Sequence, residues 1–259
     1  MINPQKVFSS FVPEPYKPLL ACISPSAFRV VKWQDVLAEA PLLAKKMTTG
    51  DGVINLAKDL ERLLPKDIEI FAEHRSQFSN SLSLRAEDGF TILELYFAQF
   101  KNDNGIFLDL RQSNFSLSSS LKVQWRLNGL WTKFRPEFRK GMLSIYKGYY
   151  FENSALLRDG LKQVGLIKEH FSESLISNVE EMILNHIGGE TTNQQFKVLH
   201  FTKGFENLFQ FLLKEKIVLS SDFLYLGVYL ASLYLHLERL GGEYNVRQAF
   251  FNNFQEMDS

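Results

Sequence analysis

The sequence predicts a mostly helical α+β fold, with a small β element in the middle of the chain and a helical, irregular N-terminal arm. Three observations carry this. Five of the eight prolines fall in the first 25 residues and only Pro136 lies beyond Pro65, so the start is broken and the rest is free to be helical. Apolar residues recur near a 3.6 period through the C-terminal half. Short apolar runs in mid-chain are bounded by turn residues rich in Asn, Asp and Gly.

Taken in order, the spacing of Val36, Leu37, Ala40, Leu43, Ala44 and Met47 predicts a helix over 33–47. Thr48 to Asp51 is a turn, and a second helix runs from Val53 to Leu64, stopped by Pro65. Residues 68–86 read equally as a strand pair or a helix. Over 90–101, Phe90, Leu93, Phe97 and Phe100 favour a helix face over a strand. After the turn Lys101–Gly105, strands are expected at 106–108 and 121–125. Pro136 suits the first turn of a helix whose face carries Phe138, Met142, Ile145 and Tyr149. Helices follow over 154–164, stopped at Gly165, over 174–187, stopped at Gly188 and Gly189, and over 205–215. The last begins at Ser221 or Asp222 and ends at Gly241, with Phe223, Leu226, Leu230, Leu233, Leu237 and Leu240 as a stripe and His236 near its polar edge. The expected division is an N-terminal region, 1–80, and a helical domain, 81–259.

Composition narrows the function. The 259 residues are 45% hydrophobic and 22% charged, ordinary for a globular chain, and the net charge of zero gives no global pull toward nucleic acid or anionic membrane. A lone cysteine, Cys22, fits a reducing compartment and sits in an apolar context as a packing residue. No signal peptide is read at the N-terminus. The most apolar stretch, Phe223–Leu237, falls short of the ~18–20 residues that span a bilayer. A cytoplasmic protein is expected, with peripheral membrane contact open. The five histidines lack metal-ligand spacing, and neither a nucleophile elbow nor a dinucleotide fingerprint is present.

The chemistry-bearing stretch is F-T-I-L-E-L-Y-F-A-Q-F-K-N-D-N-G-I-F-L-D-L-R-Q-S-N-F, residues 90–115. It ends in Asp109 with Asn114 five positions on. In kinase-like folds such a pair orients the acceptor and holds a metal. Downstream come F-R-P-E-F-R-K-G-M-L-S-I-Y-K-G-Y-Y and the closing L-S-S-D-F-L-Y-L-G-V-Y-L-A-S-L-Y-L-H-L-E-R-L-G-G. In order and spacing, residues 88 to 250 resemble the C-terminal lobe of the UbiB-type atypical kinases. The resemblance implies a kinase-like C-lobe and a site for ATP or ADP with Mg²⁺. Asp109 would be the catalytic residue and Asn114 the metal ligand, with Arg111, Lys122 and Arg126 contacting phosphate.

The same lines depart from the family. Phe107 and Leu108 stand where it has a His before the Asp, and Arg111-Gln112-Ser113 replaces its His-Pro-Gly. No Asp or Glu occurs from Leu110 to Pro136, so the second metal acid is missing. Gly50-Asp51-Gly52 is too short to cradle phosphates. The expectation is therefore a degenerate kinase-like protein, a pseudokinase, that binds a nucleotide, a lipid-like ligand or a protein partner. At residue level Asp109 and Asn114 read first as a strand-end acid capping a turn and an Asn within that turn, and second as a residual catalytic pair. The alternative is a helical interaction module. Its Arg111, Lys122, Arg126, Lys133, Arg135, Arg139 and Lys140, interleaved with Trp125 and Trp131, would dock a protein, a membrane surface or, less expected, nucleic acid.

Overall fold

The structure is a computed structural model that describes residues 4–71, 82–184 and 193–254. Among these residues it is mostly helical, with three small sheets. Short helices α1 (Pro4–Phe11), α2 (Lys17–Ala21) and α3 (Ala27–Val30) form the arm. Helix α4 (Trp33–Thr49) runs straight through Pro41, which removes one helical hydrogen bond. Pro41 and Leu37 both lie on its exposed side, away from the core. Gly50, left-handed at φ 71°, ends α4, and α5 (Val53–Glu61) follows.

Strand β1 (Ile68–Phe71) settles the first part of the ambiguous 68–86 stretch as extended; residues 72–81 lie outside the described ones. Helix α6 (Gly89–Gln99) confirms the helical reading of 90–101. Then come β2 (Ile106–Phe107), a 3-10 turn (Gln112–Asn114), β3 (Phe115–Leu117), β4 (Val123–Arg126) and β5 (Trp131–Thr132).

The kinase-like expectation required 106–108 and 121–125 to pair with each other, and they do not. β2 pairs antiparallel with β5, whereas β4 pairs antiparallel with β3 and parallel with β1. The short turn at 118–122 folds β3 back on β4, and the chain returns to β2 only at Trp131. Asp109 lies on the connection between the two ladders. Because β1 joins β4, the regions before and after residue 80 share a sheet, and one hydrophobic cluster runs from Phe8 to Phe250.

The C-terminal body holds α7 (Pro136–Tyr150), α8 (Ser154–Gln163), α9 (Glu173–Leu184), β6 (Gln194–Gln195), α10 (Val198–Lys214), α11 (Asp222–Leu240), β7 (Glu243–Tyr244) and α12 (Val246–Phe251). Pro136 opens α7, and Asn153 caps α8 by accepting from the Leu156 N–H at 3.0 Å. Helix α10 starts seven residues before the expected 205, because Lys203-Gly204 interrupts an apolar face that Phe201 and Phe205 continue. The proposed stop of α9 at Gly188 and Gly189 lies outside the described residues. Among the described residues no helix is long and apolar enough to cross a membrane. Helix α11 is buried on nearly every side, not along one stripe, and His236 is 0% exposed within it, not at a polar edge.

Candidate functional site

Two central helices position the Asp109 segment. Gln99, the last residue of α6, accepts from the Phe107 N–H at 2.8 Å and donates to the Phe107 carbonyl at 3.3 Å, so its amide bonds a strand edge from the side. From α11, Ser232 Oγ donates to the Leu108 carbonyl at 2.7 Å and accepts from the Leu110 N–H at 3.0 Å. One turn on, the His236 Nδ1–H donates to the Leu110 carbonyl at 2.7 Å. A carbonyl only accepts, so the proton sits on Nδ1. Burial pushes the His236 pKa down to about 4. The backbone on both sides of Asp109 is thereby held by side chains of α6 and α11.

Asp109 is 2% exposed, and its carboxylate is already taken. Arg111 grips it bidentately, Nε to Oδ1 at 2.8 Å and Nη2 to Oδ2 at 2.7 Å. The Asn128 amide donates to Oδ2 at 3.0 Å. The Arg111 backbone N–H donates to Oδ1 at 3.2 Å. Burial works against the charge of Arg111, but the hydrogen bonds and charge of Asp109 outweigh it and hold the guanidinium above its ordinary pKa. Asn114 Nδ2 donates to the carbonyl of Asp109 itself at 3.1 Å and closes the turn. Arg126 Nη2 donates to the Ser113 carbonyl at 2.9 Å and supports the same turn.

The face above this cluster is covered. The third arm of Arg111, Nη1, donates to the Pro15 carbonyl at 2.7 Å, and its guanidinium lies 5.7 Å from the Tyr16 ring centre. Burial, then the charge of Asp109, push the Tyr16 pKa up to about 12. On the other side α4 crosses directly over the Asn128–Leu130 turn. A Cβ on Gly129 would lie 1.8 Å from the Lys46 carbonyl oxygen, so only glycine permits that approach.

The structure therefore brings Asp109, Arg111, Asn114 and Arg126 together and leaves Lys122 out. Lys122, just before β4, pairs with Glu69 at 3.5 Å and stands four residues from Arg126, about 13 Å away at strand rise. The expected roles do not fit. Mg²⁺ requires oxygen ligands, and both Asp109 oxygens face N–H donors. Among the described residues no three His, Cys, Asp or Glu side chains converge as metal ligands. Arg111 supplies internally the positive charge a metal would bring.

The basic segment fares likewise. Arg111, Lys122, Arg135 and Arg139 are paired with Asp109, Glu69, Asp222 and Asp103. Trp125 is buried at 1% exposure. Trp131 packs under Lys46, whose ammonium lies 3.5 Å from the ring centre. Four of the seven basic residues are thus engaged in ion pairs, and one of the two tryptophans lies in the core.

Sequence reasoning missed Asn128, Gln99, Ser232 and His236. A signal existed for the last two: Tyr229, Ser232 and His236 stand at i, i+3 and i+7 in the mostly apolar middle of α11, a polar seam on one face.

No family model matches the chain, and no curated protein matches it. Among solved structures it is similar to the protein of the Rv3197–erythromycin complex from Mycobacterium tuberculosis. The two are 14% identical, over 98% of this chain and 92% of that one, with a TM-score of 0.47. A likeness of that size carries no argument about this chain.

Proposed function

We propose that the chain is a degenerate relative of the UbiB-type atypical kinases, a pseudokinase that acts by binding a protein partner and not by phosphoryl transfer. The order of elements along the chain supports the frame: helix α6, strand β2, the Asp109–Asn114 turn, the β3–β4 hairpin, then the α7–α8 pair; the pairing of β2 with β5, and not with β4, counts against it. The observation that carries the loss of catalysis is the Asp109 carboxylate, closed by Arg111 and Asn128. A general base must accept the proton of its substrate, and this carboxylate has no oxygen facing open space.

A thermal-shift titration with ATP and ADP, with and without Mg²⁺ or Mn²⁺, tests it. A ligand at a hundredfold excess over its dissociation constant adds about 2.7 kcal/mol of stability. The expected result is no metal-dependent shift at millimolar nucleotide. A shift that requires the metal and disappears in Asp109→Ala would reinstate a working phosphotransfer site.

A further inference from the structure

The charge of Asp109 is met from within the chain, at a place whose acceptors are arranged as a cation niche. Three oxygens converge on the Arg111 guanidinium: Asp109 Oδ1 at 2.8 Å from Nε, Asp109 Oδ2 at 2.7 Å from Nη2, and the Pro15 carbonyl at 2.7 Å from Nη1. The Tyr16 ring, its centre 5.7 Å from the guanidinium carbon, adds an aromatic face that also favours positive charge. A carboxylate with a main-chain carbonyl is the donor set that a hard divalent cation such as Ca²⁺ or Mn²⁺ takes.

The other donors to this carboxylate leave room for such an ion. The Arg111 backbone N–H donates to Oδ1 at 3.2 Å and the Asn128 amide to Oδ2 at 3.0 Å. A carboxylate offers about four lone-pair directions, so each oxygen keeps one for the guanidinium. The Asp109 side chain is 2% exposed and that of Arg111 20%. A carboxylate so buried needs a counter-ion to stay charged. Arg111 stands two residues from Asp109 on the same turn, so its charge is tethered there and a free ion competes with it poorly.

We propose that the Arg111 guanidinium is a built-in substitute for a divalent cation, and that this side chain closes the Asp109 carboxylate to metal. Beneath it lies a latent site, made of Asp109 and the Pro15 carbonyl with water completing the shell, that takes Ca²⁺ or Mn²⁺ once the guanidinium is gone. This deepens the reading above, that the site no longer transfers phosphate, and rests on it.

The experiment follows thermal unfolding of the full chain and of Arg111→Ala, with CaCl₂, MnCl₂ or guanidinium chloride titrated into the millimolar range and no nucleotide present. Arg111→Ala gains about 3 °C in midpoint at about a tenfold excess of Ca²⁺ or Mn²⁺ over its dissociation constant. The unmodified chain and Asp109→Asn/Arg111→Ala gain nothing. Where Arg111→Ala does not fold, Arg111→Gln, which keeps an amide beside Asp109, is read in the same way. A folded variant that ignores both metals overturns the proposal, as do variants that fold in none of the salts. A response to guanidinium alone also overturns it and makes the niche a dedicated arginine seat, and so does a metal shift that survives in Asp109→Asn/Arg111→Ala. Each of these failures leaves the loss of phosphoryl transfer standing. A metal-dependent nucleotide shift in the unmodified chain removes that reading and this one together.

Discussion

At the residue scale, the Asp109–Arg111 pair shows how identical residues serve opposite ends. A buried carboxylate beside a turn Asn is the raw material of phosphoryl transfer, and one guanidinium two positions on converts it into an anchor. Removing one member of a buried pair leaves an uncompensated charge, which costs about 3–5 kcal/mol. Arg111→Ala is therefore expected to lower stability by about 3 kcal/mol in urea unfolding. Asp109→Asn/Arg111→Ala should recover part of that loss. A double variant as unstable as the sum of the singles would mean that the two side chains are not coupled.

His236 makes a pH prediction. Its folded pKa of about 4 lies below the ordinary value of 6.5. Between those values the unfolded chain takes up a proton that the folded chain refuses. Stability is full above pH 6.5 and falls as the pH drops toward 4, by on the order of 3 kcal/mol in total. His236→Asn keeps an N–H for the Leu110 carbonyl and removes the titration, so its stability should lose this slope. An unchanged slope would place the titration elsewhere.

At the element scale, the α7–α8 hairpin depends on missing side chains. A Cβ on Gly148 would sit 2.3 Å from the Leu157 backbone nitrogen, and one on Gly160 would sit 2.7 Å from the Gly141 carbonyl oxygen. The two helices therefore meet backbone to backbone. Gly148→Ala forces them apart and should cost about 1–3 kcal/mol or more, despite the better helix propensity of alanine. A melting temperature equal to that of the unmodified chain would show that the hairpin can shift without penalty.

Helix α11 gives the contrasting case. Its length and its end at Gly241, left-handed at φ 72°, were legible from the apolar period and the glycine. Its burial on all sides was not, because periodicity reports which face is most apolar and not how many neighbours surround the rest.

At the scale of the whole molecule, one core joins regions that the sequence suggested were separate. Trp33 stacks on Phe28 at 5.6 Å in the N-terminal part, and Trp125 stacks on Phe115 at 5.7 Å in the central sheet. With β1 bound into that sheet, tryptophan fluorescence and far-UV circular dichroism of the body should report one coincident unfolding transition. Two separated transitions would divide the core.

The sequence by itself determined most of the helical body among the described residues, the Pro136 start of α7 and the glycine end of α11, and two of the short strands around Asp109. These follow from local rules: side-chain period, proline and glycine conformations, and turn chemistry. It also showed Asp109 and Asn114 at a chemically suggestive spacing, and the missing second acid. Only the tertiary structure decided that β2 and β4 belong to different ladders, that Lys122 is remote, that Asn128 completes the grip on Asp109, and that Pro15 and Tyr16 cover the Arg111 side of it. Those outcomes depend on which distant segments share a contact, and a charge is defined by its neighbours in space. The same Asp109 is a base in an open cleft and an anchor against Arg111, and no spacing along the chain distinguishes the two.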